Sequence, residues 1–299
     1  MRGVLGRLGS SWAVSLTAET TSSPADPISG GTVPIHKTAV IHSDAQLAAD
    51  VTVGPFAIIE AGAILASGCK VLGHAYIGPG TEIGEKSEVH MHAVIGHDPQ
   101  DLAWAGEPSQ VIIGNRTVLR EYVSVHRASR PGSSTRIGDD CLLMVGAHVA
   151  HDCFVEEGVI MANHCSLAGH ARVGSGAFLS ANALVHQFCR VGRLAMLGGA
   201  AVAVQDIPSF MLSTGDRATI RGVNVVGLRR AGIEADLRRA IQDAHRVLYR
   251  SGRTIPEAAM ILKESEWVEV REIAEFIEES ARGIASGSRS AVEVRPASF

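Results

Sequence analysis

The sequence predicts a mainly β protein: a parallel β-helix of hexapeptide repeats followed by a small α-helical C-terminal domain. From residue 35 onward, with two interruptions, an aliphatic residue recurs at every sixth position, usually with a small residue two positions before it. This period is too short for helical repeats and is typical of a parallel β-helix, in which three hexads close one triangular coil. With 4% aromatic residues and 32 glycines, the composition suits many thin layers.

Charge and hydropathy narrow the class of protein further. The chain has 299 residues, enough for one large or two modest domains, and its net charge of −4 argues against nucleic acid as the main partner. No apolar run approaches the roughly 18 residues that a membrane-spanning helix needs, so we expect no integral membrane segment.

The segment 1–34 differs in composition from the rest of the chain. It contains early arginines and many serines and threonines, and its first acidic residue is Glu19. This pattern suits either a disordered extension or an organelle-targeting peptide, and both interpretations stay open. We expect a cytoplasmic protein, with organelle targeting through 1–34 as the alternative.

The predicted β-helix domain covers 35–206. Its aliphatic positions number 25, which predicts about eight coils, and strand alternation directs both the aliphatic and the small residue of each hexad inward. Two interruptions of the repeat, 96–112 and 128–136, are predicted loops that leave the prism. Insertions in a solenoid usually map to one face, which is often the binding face.

All five cysteines occupy the small inward position of a hexad: Cys69, Cys141, Cys153, Cys165 and Cys189. Their common position favours a role as small core residues over metal binding, nucleophilic catalysis or disulfide formation. Five buried thiols also suit a reducing compartment.

The histidines of the repeat region all avoid the inward position, so they are expected outside the core. Because one coil contains 18 residues, His170 follows Asp152 by one coil, and Gln187 follows His151 by two. His148 and His186 lie close to the same positions in the sequence. A column of titratable groups along one edge of an apolar prism indicates an active-site cleft.

An imidazole beside a carboxylate can act as a general base towards a hydroxyl group, which points to His151 and Asp152. The backbone N–H of Gly169 is a candidate oxyanion donor, since glycine allows close approach. The chain has no Gly-x-Ser-x-Gly motif, so direct transfer is favoured over a covalent intermediate. A zinc site of three histidines is the less favoured alternative, and we predict no metal.

The C-terminal segment 207–299 lacks the hexad period and is predicted to form a helical domain, with amphipathic helices at 234–252 and 267–283. From Asp216 to Arg253 there are nine arginines and four acidic residues. Charge alone does not distinguish a docking surface for an acidic partner from an ordinary solvated helix face.

Several longer motifs resemble one known family, the UDP-N-acetylglucosamine O-acyltransferases that catalyse the first step of lipid A synthesis. The combination of "AHVAHDC" with "LAGH" and "VHQF" is specific to this family among hexapeptide-repeat enzymes. The matching stretches are "QDLAWAGEP" (100–108), "IGNRTVLREYVSVHR" (113–127), "AHVAHDC" (147–153), "ANHCSLAGH" (162–170), "VHQFCRVG" (185–192), "GGAAVAVQDIP" (199–208), "GVNVVGLRR" (222–230) and "YRSG" (249–252).

The resemblance implies a left-handed β-helix and a homotrimer with active sites between adjacent prisms. It implies transfer of a 3-hydroxyacyl chain from acyl carrier protein, as a thioester co-substrate, to the 3-position of UDP-N-acetylglucosamine without a cofactor. The alternatives are a hexapeptide acetyltransferase that uses acetyl-CoA, and a β-helix binding module without catalysis.

The resemblance also assigns roles to residues. His151 would be the general base, Asp152 would assist it, and Gly169 would supply the oxyanion N–H. The UDP-sugar would be held by Asp101, His148, His170, His186, Gln187, Asn224 and Arg230. Gly199 and Arg217 would limit the acyl-chain length, and the basic helical region would dock the carrier protein through Arg238, Arg239 and Arg246.

Two positions depart from the family pattern. Ala103 stands where the family commonly has a lysine, and Val226 where it commonly has a glutamate. Both positions usually contact the nucleotide sugar. The sequence therefore leaves open whether the acceptor carries a 3-hydroxyl or a 3-amino group.

Overall fold

The structure is a computed structural model that describes residues 35–288. The predicted extension 1–34 lies outside the described residues, as does the end of the predicted C-terminal domain, 289–299. Across the described part of the chain, no helix combines the length and the apolar character needed to cross a membrane.

A left-handed parallel β-helix forms most of the described chain, as predicted, and short helices follow it. Each predicted aliphatic position from Ile41 to Leu197 lies in its own short strand. The strands of the first half are β1 (Val40–Ile41), β2 (Gln46–Leu47), β3 (Thr52–Val53), β4 (Ile58–Ile59), β5 (Ile64–Leu65), β6 (Lys70–Val71), β7 (Tyr76–Ile77), β8 (Thr81–Ile83), β9 (Glu88–Val89), β10 (Val94–His97), β11 (Gln110–Ile113), β12 (Val118–Leu119) and β13 (Ser124–His126).

The second half contains β14 (Ser134–Ile137), β15 (Leu142–Leu143), β16 (His148–Val149), β17 (Phe154–Val155), β18 (Ile160–Met161), β19 (Ser166–Leu167), β20 (Arg172–Val173), β21 (Phe178–Leu179), β22 (Leu184–Val185), β23 (Arg190–Val191), β24 (Met196–Leu197), β25 (Val202–Ala203), β26 (Met211–Thr214) and β27 (Thr219–Val223). Every third strand joins the same sheet. The first sheet runs from β1 to β25, the second from β2 to β23, and the third from β3 through β24 to β26 and β27.

Neighbouring strands within a sheet are parallel, and their register follows the predicted coil. Val40 pairs with Ile58, and His148 pairs with Ser166, so each partner lies 18 residues further along the chain. The prediction of three hexads per coil is confirmed.

The core is a stack of the aliphatic and small residues. Ile59 and Leu65 are each 1% exposed, and burial of such a side chain contributes about 1.5–3 kcal/mol. All five cysteines are buried and unpaired, which confirms their predicted place in the core. Burial raises the pKa of the Cys153 thiol to about 12, so this side chain is not a nucleophile at neutral pH.

The two inserted loops are shorter than the sequence predicted. Strand β10 extends to His97, β11 begins at Gln110, and β14 begins at Ser134, so the segments outside the strands are 98–109 and 127–133. The physical reason is pairing: β11 and β14 are in register over four residues, which adds backbone hydrogen bonds at the base of both loops.

The helical domain begins later than the predicted boundary at 207. After β25 the chain forms β26, which pairs in parallel with β24, and then β27, which pairs antiparallel with β26. Strand β26 alternates buried and partly buried residues, and this period of two favours a strand over a helix. A β-hairpin therefore covers the end of the third sheet before any helix begins.

Four helices follow: α1 (Val225–Arg230), α2 (Ala235–Arg250), α3 (Ile255–Lys263) and α4 (Val268–Glu278). The predicted helices at 234–252 and 267–283 are confirmed as α2 and α4. Helix α3 was not predicted from the sequence, although Thr254 and Glu257 form a capping box that marks its start.

Ion pairs fix the helices to the end of the prism. Asp206 is 1% exposed and accepts hydrogen bonds from the backbone N–H and Nε of Arg190 and from Oγ of Ser280. Arg193 binds Glu272 of α4, with Nη2 2.7 Å from Oε2. Arg190 also donates from Nη2 to the carbonyl of Phe276 in α4, so α4 is held at two points.

Candidate active site

The predicted column of polar residues lies at one corner of the prism, between the first and second sheets. Asp152, His170 and Phe188 occupy equivalent positions on successive coils, each with a positive φ of about 60°. The rings of His170 and Phe188 stack with centroids 4.5 Å apart. We call this edge the His151 corner, after the residue that precedes Asp152.

His151 and Asp152 form a hydrogen-bonded pair, in which Nδ1 of the imidazole lies 2.8 Å from Oδ2 of the carboxylate. With the proton on Nδ1, the ring donates to Asp152 and leaves a lone pair on Nε2. The ring of His170 stands edge-on to that of His151, with centroids 5.3 Å apart.

The inserted loop 127–133 holds Asp152 in place. Ser129 donates to Oδ2 through its backbone N–H at 3.1 Å and its Oγ at 2.7 Å, and Oγ of Ser133 lies 3.4 Å from Oδ1. Burial alone would raise the pKa of Asp152, but hydrogen bonds from His151 and Ser129 hold it below its usual range. The carboxylate is therefore ionised at neutral pH.

Gly169 faces the free side of the His151 ring. A Cβ atom at this glycine would lie 2.6 Å from both Cε1 and Nε2 of His151, so only glycine leaves room for the imidazole. Within 35–288, the backbone N–H of Gly169 has no hydrogen-bond partner, although its carbonyl accepts from Phe188. A donor without a protein partner thus stands beside the candidate base.

His148 lies on the outer face of the first sheet, next to the His151 corner. Its Nδ1 is 2.8 Å from Oγ of Ser124. Burial, with a smaller contribution from the charge of His126, lowers the pKa of His148 to about 4. His148 is therefore neutral at physiological pH and suited to hydrogen bonding.

Three aromatic residues beside His148 were missed by the sequence analysis. His126 packs against His148 with ring centroids 5.4 Å apart, and His97 and Tyr76 continue the row. The 18-residue spacing did not reveal them because both insertions interrupt the count between Tyr76 and His148. The available signal was that His97 and His126 closely follow inward positions of hexads.

Asp101 lies in the inserted loop 98–109, where its carboxylate accepts from the backbone N–H of Ala103 at 2.9 Å. Burial has the largest effect on His170 and lowers its pKa, while the charges of Asp152 and Asp101 act in the opposite direction. The charge of Asp101 therefore acts on His170, and its role in holding a nucleotide sugar stays a prediction.

The remaining predicted residues fall into two groups. His186 and Gln187 lie at the His151 corner, one coil beyond Gly169, with Nδ1 of His186 3.3 Å from the carbonyl oxygen of Gln187. The residues of the second group lie away from the His151 corner on the same chain. Gly199 is at the corner between the third and first sheets, Arg217 is in the β26–β27 turn, and Arg238, Arg239 and Arg246 are on α2.

Asn224 and Arg230 are also distant from His151 within one chain. Asn224 is the N-cap of α1, accepts from the N–H of Gly227, and donates to the carbonyl of Leu194 at 2.9 Å. Leu194 belongs to the corner between the second and third sheets. Arg230 is exposed at the end of α1.

A metal ion was a further alternative for this corner. Ligand atoms of His151, Asp152 and His170 all lie within 4.8 Å of one another. This group, taken from the part of the chain that the structure describes, contains two histidines rather than the three of the predicted zinc alternative. Both oxygens of Asp152 already accept hydrogen bonds from Ser129 or Ser133, which favours a hydrogen-bonded dyad over a metal centre.

A β-helix of hexapeptide repeats with a histidine–carboxylate pair at one corner defines the class of hexapeptide-repeat acyltransferases. The profile of a family described as UDP-N-acetylglucosamine O-acyltransferase, domain 2, matches residues 206–285. The acyl-[acyl-carrier-protein]–UDP-N-acetylglucosamine O-acyltransferase of Aliivibrio fischeri is 41% identical over 256 residues, which are 85% of this chain and 98% of that protein.

Solved structures agree with this similarity. The UDP-N-acetylglucosamine acyltransferase of Campylobacter jejuni is 35% identical, with a TM-score of 0.81 over 85% of this chain and 100% of that one. The enzyme of Francisella novicida is 32% identical, with a TM-score of 0.82 over 87% and 99% of the two chains. The chain belongs to the UDP-N-acetylglucosamine O-acyltransferase family, which confirms the resemblance seen in the sequence.

Proposed function

We propose that the chain transfers a 3-hydroxyacyl group from acyl carrier protein to the 3-position of UDP-N-acetylglucosamine, the first step of lipid A biosynthesis. The observation that carries this proposal is the His151–Asp152 dyad beside Gly169. The name of the 41% identical relative from Aliivibrio fischeri supports the classes of donor and acceptor.

The mechanism follows from the dyad. Nε2 of His151 accepts the proton of the sugar hydroxyl as its oxygen attacks the thioester carbonyl. Asp152 accepts the Nδ1–H and stabilises the imidazolium that forms. The Gly169 N–H donates to the oxyanion of the tetrahedral intermediate. When the carbon–sulfur bond breaks, His151 returns the proton to the leaving thiolate, so the enzyme ends in its starting state.

The neighbouring histidines are less suited to the role of base. His148 engages Ser124 through Nδ1, and burial lowers its pKa to about 4. His170 lies 3.8 Å from Asp152, beyond hydrogen-bond distance. Of these three histidines, only His151 combines a carboxylate partner with an Nε2 atom directed at Gly169.

Binding of the nucleotide sugar is assigned to the residues that surround the dyad, with Asp101, His148 and His170 on the same chain. Asn224 and Arg230 lie away from this corner, so they can contribute only from an adjacent protomer. We therefore propose a homotrimer with each site between two prisms. Light scattering that showed a monomer at micromolar concentration would contradict it.

The same proposal assigns catalysis to the β-helix and carrier docking to the helical region that follows the β-hairpin. It requires no resident cofactor or metal, because the base, its orienting carboxylate and the oxyanion donor all come from the protein. We place the enzyme in the cytoplasm, with organelle targeting through 1–34 as the alternative.

The test is turnover of UDP-N-acetylglucosamine with a panel of 3-hydroxyacyl carrier proteins. His151→Ala should lower kcat by at least about 10²–10⁴-fold, the usual effect of losing a general base, at an unchanged melting temperature. His42→Ala, at an exposed histidine of the first coil, is the matched control. Near-normal kcat in His151→Ala, or equal activity with acetyl-CoA as donor, would contradict the proposal.

A further inference from the structure

An exposed arginine without a partner stands at the His151 corner. Arg130 lies in the inserted loop 127–133, and its guanidinium makes no hydrogen bond or ion pair to any residue in 35–288. The planar guanidinium presents five N–H donors in a fixed arrangement that matches the geometry of carboxylate and phosphate groups.

The position of Arg130 is fixed by the candidate catalytic carboxylate. Ser129, directly before it, donates twice to Oδ2 of Asp152, and Ser133 contacts Oδ1. The turn is closed by a hydrogen bond from the N–H of Ser133 to the carbonyl of Arg130 at 3.1 Å. Arg130 therefore stands at the tip of a turn whose two ends both bind Asp152.

The same turn also contacts the loop that carries Asp101. The N–H of Gly132 donates to the carbonyl of Pro108 at 3.0 Å, and Oγ of Ser109 donates to the carbonyl of Ala128. The two inserted loops form one wall of the corner. The backbone of Arg130 is consequently restrained, while its side chain extends into solvent.

The charges around this wall are unbalanced. The charges of Asp152 and Asp101 both act on His170, and burial, with smaller contributions from the charges of His151 and Arg130, keeps the pKa of His170 low. The other nearby cation, Arg127, is already paired with Asp98. Arg130 therefore carries the one unpaired guanidinium among the described residues of these two loops.

A nucleotide diphosphate sugar carries two negative charges on its phosphates. The carboxylates of Asp101 and Asp152 repel these charges when the substrate binds at this corner. A guanidinium can bind phosphate oxygens through two parallel hydrogen bonds and offset that repulsion. We propose that Arg130 binds a substrate phosphate oxyanion at this corner, the diphosphate of the nucleotide sugar. This inference rests on the proposed function.

The thioester donor offers the same chemistry if its acyl group is carried on a phosphopantetheine arm, which contains one phosphodiester. The diphosphate is favoured because its two charges interact more strongly with one guanidinium. Varying each substrate separately distinguishes the two sources.

The experiment compares the wild-type chain with Arg130→Gln, Arg130→Lys and the charge-matched control Arg136→Gln. Arg136 is exposed on β14 and donates to Ser134. In Arg130→Gln, KM for the nucleotide sugar should rise roughly 10-fold or more, with donor KM unchanged and kcat within about threefold. In Arg130→Lys, KM for the nucleotide sugar should lie between the wild-type and Arg130→Gln values, because lysine retains the charge but loses the bidentate geometry.

Calorimetry with UDP and uridine isolates the phosphate contribution. Arg130→Gln should weaken UDP binding by a similar factor and leave uridine binding unchanged. If the wild-type chain turns over the nucleotide sugar and Arg130→Gln keeps its KM, Arg130 has no such role. A rise in donor KM alone, or equal losses in Arg136→Gln, would also overturn the proposal. Weaker UDP binding without any wild-type turnover would support Arg130 and reject the proposed function.

Discussion

Nδ1 of His151 lies 2.8 Å from Oδ2 of Asp152, although the two residues are neighbours in the sequence. Consecutive side chains of a strand point to opposite faces, so this pair requires a turn. Asp152 has φ +59, and this left-handed conformation at the corner brings its carboxylate to the same side as the imidazole. Aspartate is one of the few residues besides glycine that adopt this conformation readily.

Gly169 should be essential for the position of the base. In Gly169→Ala the added Cβ would lie 2.6 Å from Nε2 of His151, so the imidazole must move. Gly169 does not have a positive φ, so the backbone itself tolerates alanine. We expect kcat to fall by roughly 10²-fold, the typical result of a misplaced catalytic group, with an unchanged melting temperature. Wild-type kcat in this variant would show that His151 need not approach Gly169.

Ser129 should act as a positioning residue through Asp152. Ser129→Ala removes the 2.7 Å hydrogen bond from Oγ but keeps the backbone N–H donor. We expect kcat to fall roughly 10-fold with little change in either KM, because the carboxylate becomes mobile while the substrates still bind. Ser129→Thr restores the hydroxyl and should restore kcat. Equal rises of both KM values would instead indicate a purely structural role.

Most of the fold could be predicted from the sequence because the hexad is a local signal that repeats 25 times. The hairpin of β26 and β27 was missed because it lies beyond the hexad repeat and its strands pair antiparallel, which the 18-residue spacing of the coils does not describe. The strand extensions beside the inserted loops were missed for a similar reason. They depend on the pairing of β11 with β14.

Part of the site was predictable for the same reason and part was not. The spacing of 18 residues placed Asp152 and His170 on one edge, where the structure has them. The contact between His151 and Asp152 depends on the sign of one φ angle, which the spacing does not specify. The role of Ser129 depends on how a nine-residue interruption predicted at 128–136 folds back over the corner.

The low pKa of His148 should appear in the pH dependence of stability. Burial lowers this pKa from 6.5 to about 4, so between these values the unfolded chain binds a proton that the folded chain does not. Stability from neutral His148 is therefore lost as pH falls through this window, by on the order of 1–2 kcal/mol given its partial exposure. In His148→Gln the melting temperature, measured from pH 7 to 4.5, should fall less steeply. Parallel curves for both proteins would contradict this assignment.

Carrier docking on α2 should depend on exposed arginines and on salt. Arg239 pairs with Asp236, and Arg246 with Asp243, at exposed i,i+3 positions whose ion pairs contribute little to stability. Arg238 is less suitable for charge reversal, because its guanidinium binds the carbonyl of Ile233.

Charge reversal at Arg239 and Arg246 should raise donor KM roughly 5–10-fold at low salt, and much less above physiological ionic strength, because the interaction is screened. Lys263→Glu on α3 is the control for a general loss of positive charge. An unchanged donor KM at low salt would place the docking surface elsewhere.

The acyl-chain length that the enzyme prefers should depend on Gly199. A Cβ at this position would lie 3.7 Å from the carbonyl oxygen of Ala181 and 3.8 Å from Oγ of Ser180, which are ordinary contacts. The fold should therefore accept Gly199→Met. Glycine leaves space at this position for the end of an acyl chain. We therefore expect the wild-type enzyme to prefer 3-hydroxyacyl chains of about 12–16 carbons, since each buried methylene contributes about 0.8 kcal/mol.

In Gly199→Met the added side chain should occupy the space of the terminal methylenes and move the optimum to shorter chains. Two carbons of mismatch should change kcat/KM by roughly tenfold or more. The measurement is kcat/KM across donors of 10, 12, 14 and 16 carbons. Arg217→Ala tests the second predicted limit: removing the exposed guanidinium should move the optimum to longer acyl chains. A wild-type optimum at 10 carbons that Gly199→Met left unchanged would show that neither the glycine nor its open space sets the length.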